Sequence, residues 1–132
     1  MALSADANLD YAISGINQLP VKASAVIYKN SAVGLTAGYA RALVANDRFG
    51  GFALEAQTGG SADGAVYVNV QNEGLILLTF SAVAVTDIGA AVYASADGTF
   101  VLTATGNTLI GRVHRYVSST TAWVSFKSDT TA

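Results

Sequence analysis

The chain has 132 residues, a formal net charge of −2 and no cysteine, which excludes a disulfide framework, a thiolate metal site and a thiol nucleophile. Only 12% of the residues are charged while 52% are hydrophobic, against the roughly 25% charged that is usual for a globular domain. The charge is evenly spread, four Lys/Arg against five Asp/Glu in residues 1–66 and three against four in residues 67–132, so no basic stripe for direct nucleic-acid binding is expected.

The length fits one domain, able to bury about two-thirds of its unfolded surface without a staple. So few charges cannot cover that surface. It is covered either by Ser, Thr, Gly and Ala or by other subunits.

Residues 1–20 read as an N-terminal arm, extended or partly helical, ahead of a β domain over residues 21–132. Leu9, Ile13 and Ile16 fall at helical spacing and Ser4 or Asp6 would cap a short helix. Ser14-Gly15 and Pro20 oppose a long one. The start is acidic where a secretory signal is basic, so a soluble protein made in the cytoplasm is expected. Residues 74–86, the longest uncharged apolar stretch, are interrupted by Thr79 and Ser81 and fall short of the ~20 residues of a membrane span.

Residues 21–29 alternate imperfectly and read as a strand; residues 30–36, with Gly34, read as a turn. A strand is expected over residues 38–45 and another over residues 52–56, with Gly50-Gly51 between them. Residues 58–64 are a glycine-rich loop, tightest at Asp63-Gly64. The clearest alternation follows: Val66, Val68 and Val70 on one side, Ala65, Tyr67 and Asn69 on the other. Residues 75–80 are apolar on both faces apart from Thr79, the pattern of a central strand.

The final third reads as four strands. Asp97-Gly98 joins residues 90–94 to residues 99–104 with a type I′ hairpin signal. Thr105-Gly106-Asn107 breaks the chain before a strand over residues 109–117, and residues 118–121 lead into the last strand. There Ala122, Val124 and Phe126 share one face and Trp123, Ser125 and Lys127 the other. About eight or nine strands of this kind mean an all-β barrel or sandwich.

Chemistry-bearing residues are sparse. His114 is the single histidine, so a His-based metal cluster is excluded and a Ser–His–acid triad would have to use it. Strict alternation puts Ile110, Arg112, His114 and Tyr116 on one face and Gly111, Val113, Arg115 and Val117 on the other. Arginines beside an imidazole repel its charged form, which does not suit a general base. Arg112, His114 and Arg115 read instead as a polar contact to an acidic patch on a neighbouring subunit, or as an ordinary surface strand. Asp63, Asp87 and Asp97 each precede a glycine, the turn role of Asp. Asp6 and Asp10 lack a calcium-loop pattern, and neither glycine pair is followed by the Lys and helix of a phosphate loop. No enzyme, cofactor or metal is expected.

Two patches carry a family resemblance. One is Asp87-Ile88-Gly89 leading into Val92-Tyr93, then Thr105-Gly106-Asn107-Thr108-Leu109-Ile110-Gly111 and a valine-rich closing strand. The other is Ala37-Gly38-Tyr39-Ala40-Arg41 through Asp47-Arg48-Phe49-Gly50-Gly51-Phe52-Ala53. In order and spacing they resemble the tailed-phage capsid decoration (head-stabilising, or cement) proteins over residues 33–127. The resemblance implies a virion structural protein on the outer surface of the mature, expanded capsid. It implies a homo-oligomer, commonly a trimer, whose partner is the major capsid protein; from charge and hydropathy, neither direct nucleic-acid binding nor membrane insertion is expected. The candidate contact residues are Leu9, Ile13 and Ile16 of the arm with Arg112, His114 and Arg115. Two alternatives stand beside it: a carbohydrate- or ligand-binding module using Trp123 and the tyrosines, and another virion part such as a tail-tube or minor capsid subunit.

Overall fold

The computed structural model describes residues 15–130. Leu9, Ile13, Asp6 and Asp10 lie outside them. Within them the chain forms β1 (Ile16–Pro20), β2 (Val26–Ile27), β3 (Ala32–Thr36) and β4 (Tyr39–Ala42). Next come β5 (Arg48–Ala53), β6 (Gln57–Thr58), β7 (Tyr67–Gln71) and β8 (Glu73–Thr79). A 3-10 turn at Val85–Asp87 precedes β9 (Ala91–Ala96), β10 (Thr99–Val101), β11 (Thr108–Ser118) and β12 (Thr121–Lys127). The protein is a small all-β domain, and its sheets do not close into a barrel.

Two five-stranded sheets form, in the orders β1-β7-β5-β3-β4 and β10-β9-β11-β12-β8, with a small β2-β6 ribbon beside them. Every strand pairing is antiparallel. The first sheet curls until the chain leaving β1 meets β4 at one parallel bridge, Val21 to Ala40. Inside that curl Leu19, Val21, Ile27, Val33, Ala40, Ala53, Val68 and Val70 are buried together. The opposite face of β3 and β5 packs on the second sheet, where Phe49 and Phe52 join Val92, Ile110, Val113, Val124 and Phe126. Phe52 meets Phe126 edge-on at 4.8 Å and Phe49 at 5.5 Å between ring centroids, and such pairs add to what burial alone contributes.

The sandwiched strands are therefore β3 and β5, and several expectations change accordingly. Residues 30–36 are mostly the buried strand β3; only Asn30, at φ 65°, turns. Residues 21–29 are mostly irregular, because Asp63 Oδ1 takes the Ala23 N–H at 2.8 Å and Ser24 adopts φ 61°. Ile16, placed by spacing on a helix, lies instead in β1, paired with Gln71. Among the described strands β8 lies at the edge of its sheet and not at its centre. The hairpin at Asp97-Gly98 forms, but neither residue has positive φ; the turn with left-handed backbone at both central positions is Ala37-Gly38, between β3 and β4.

Candidate functional site

Residues paired across an antiparallel ladder project to the same side, so the registers define the outer face of the second sheet. Arg112 pairs with Ser125, and Ser125 with Leu75. One step along, Arg115 pairs with Trp123, and Trp123 with Leu77. The other face of the same strands carries Ala122, Val124, Phe126 and Leu78, all buried. The alternation expected for β12 holds. On β8 its consequence is that Leu75 and Leu77 stand 50% and 48% exposed between partly or fully buried Ile76 and Leu78.

The faces expected for β11 are wrong, and the cause is local. Its register slips between Val113 and Arg115, leaving His114 as an extra residue opposite β12. A second slip lies between Leu109 and Gly111, opposite β9. A bulge inserts one residue and shifts the alternation beyond it. Ile110 is consequently buried while Arg112 is exposed, and Val113 is buried while Arg115 is exposed. Arg112 and Arg115 end on the same outer face, against the alternation read from the chain.

Arg112 is steadied by a bond from its Nη1 to the Gly89 carbonyl, 3.1 Å. Arg112, His114 and Lys127 line one open depression of about 430 Å³ with Gly89, Gly111, Val113, Ser125 and Phe126, and no carboxylate among them. The structure thus brings Arg112 and His114 together, with Arg115 nearby on the same face. Ile16 lies elsewhere, exposed on the edge strand of the first sheet.

Several carboxylates serve the backbone. Asp87 Oδ2 accepts from the Ala84 N–H at 2.8 Å, and Asp63 serves Ala23 as described. Asp47, 8% exposed, takes two bonds from Arg41, at 3.0 and 2.8 Å, and a third from the Val44 N–H. Those bonds, the hydrogen bond to Asp47 first, raise the Arg41 guanidinium above its ordinary range, so it keeps its charge to still more alkaline pH. A polar depression of about 560 Å³ beside Asp47 also includes Asp129, whose Oδ2 accepts from the Phe49 N–H at 3.2 Å. Both acids there are already engaged.

Sequence reading missed the pairing of Leu77 with Trp123, with Leu75 on the same face opposite Ser125, since four consecutive apolar residues carry no period that separates one face from the other. It also missed the Arg41–Asp47 pair, whose members are joined by irregular chain. Comparison of the chain with family models, with curated proteins and with solved structures finds no match.

Proposed function

We propose that this protein is a virion structural protein that decorates the outside of the mature, expanded phage capsid and clamps neighbouring capsomers. The observation that carries the reading is the outer face of the second sheet. Half-exposed Leu75 and Leu77 lie beside Trp123, with Arg112 and Arg115 in the same two rows. An aromatic and aliphatic centre with arginine beside it is the composition of a protein interface. The partner is the major capsid protein, met through an acidic patch that the arginines complement. The low charged fraction and the motif resemblance over residues 33–127 support the same reading, and a homotrimer is what that resemblance adds.

The physical basis of the stabilisation is linkage. A ligand that binds the expanded lattice and not its precursor lowers the free energy of that lattice by its binding free energy. Many copies multiply a modest contact. The test is cosedimentation of the purified protein with expanded and with compact heads of the parent phage. Retention on expanded heads alone is expected; equal retention on both, or on neither, contradicts the proposal.

A further inference from the structure

Among the described residues β8 has a hydrogen-bonded strand neighbour on one side only. Phe80 donates its N–H to Thr120 of the β12 side and Asn72 accepts there from Ser128, so even-numbered residues face β12. The backbone groups of Leu75, Leu77 and Thr79 therefore point away from the sheet. Natural proteins blunt such edges with Pro, Lys, bulges or shortness. The other three sheet edges show such devices or are bridged: β1 ends in Pro20, β4 is bridged to Val21, and β10 is three residues long with an irregular register. β8 has seven residues, no Pro or Lys, and an unbroken register with β12.

We propose that β8 pairs with β8 of a second copy, antiparallel and centred on Ile76. At that register Leu75 of each copy lies opposite Leu77 of the other, and their outward N–H and C=O groups bond reciprocally, as a hydrogen-bonded antiparallel pair requires. Four leucines then meet on the outer face. Glu73, the one charge on β8, falls opposite Thr79 of the other copy and not opposite itself, as it would in a parallel pairing.

Charge complementarity selects a second copy as the occupant. Thr79 lines a groove of about 310 Å³ beside the β8 edge with Lys29, Asn30, Leu77, Asp97 and Phe100. The incoming strand delivers its Glu73 opposite Thr79, at the groove that Lys29 also lines; Lys29 has no ion pair among the described residues. The two-fold axis makes this contact twice. Asp97 shares the groove, so a reciprocal charge exchange is needed to separate pairing from general charge. The contact is two-fold and needs nothing from a capsid, so it stands or falls apart from the decoration reading.

Glu73→Lys should weaken the pair about tenfold or more, and Lys29→Glu combined with Glu73→Lys should restore it, both read by native mass spectrometry over a dilution series. The chain has no cysteine, which makes cross-linking clean. A mixture of Leu75→Cys and Leu77→Cys proteins should form a disulfide between copies under mild oxidation, and each variant alone should do so far less, being two positions out of register. A monomer or trimer whose mass distribution Glu73→Lys leaves unchanged, or cross-linking no better in the mixture than in either variant alone, overturns the proposal.

Discussion

At Gly34 the absent side chain leaves room for Asp47. A Cβ built there would overlap the Asp47 carboxylate, which is held in place by Arg41 and the Val44 N–H. Gly34→Ala should therefore displace Asp47 and cost about 1–3 kcal/mol, the range for a buried hydrogen-bonded group losing its partners; urea unfolding measures it, and an unchanged midpoint would contradict it. Ala37 presents the opposite case. It holds φ 50° in a two-residue turn, a conformation that Asn tolerates better than Ala. Ala37→Asn should stabilise by roughly 0.5–1 kcal/mol, visible as a rise in Tm. Sequence pointed to neither position, because glycine marks a turn and a close approach with the same letter, and residues 30–36 read as the turn.

At the scale of the element, β8 and β11 show what alternation can and cannot reveal. On β8 the ladder separates identical side chains by position alone. Leu78→Ala should cost about 2–5 kcal/mol as a buried truncation, while Leu77→Ser should change the stability of the monomer by no more than about 0.5 kcal/mol, as at an exposed site. Equal losses from the two would refute the face assignment. β12 was legible because polar Thr121, Ser125 and Lys127 alternate with its core residues. β8 was not, because Glu73-Gly74-Leu75-Ile76-Leu77-Leu78-Thr79 has an apolar residue at every central place. On β11 the period was present but the bulge at His114 broke it. Deleting His114 should bring Val113 and Arg115 into continuous register with Val124 and Trp123 and leave Arg115 outside. A folded protein whose Tm moves by only a few degrees is expected; loss of cooperative unfolding would show that the extra residue is required.

At the scale of the whole molecule, the two sheets are held by an aromatic cluster from both. Phe52 touches Phe49 in its own sheet and Phe100 and Phe126 in the other, with centroids 4.8 to 6.0 Å apart. Phe52→Ala should cost about 3–5 kcal/mol. Strand content and the all-β class were legible from turn residues and β-branched runs. The layering was not, since the burial of β3 and β5 on both faces depends on the curl of the first sheet, and that curl is set by contacts between residues far apart in sequence. The proposed interaction surface was legible in its arginines and in Trp123. Its apolar half emerges when β8 and β12 are laid side by side.

On the proposed function, the Leu75, Leu77, Trp123, Arg112 and Arg115 face binds a shell. The most direct measurement is the affinity of wild-type protein and of Arg112→Ala/Arg115→Ala for expanded heads, with the Tm of both proteins recorded alongside. The double variant should keep its Tm within about 2 °C, as exposed substitutions do, and bind at least about tenfold more weakly. Undiminished binding by the double variant, or no binding of the wild type to expanded heads, would contradict it.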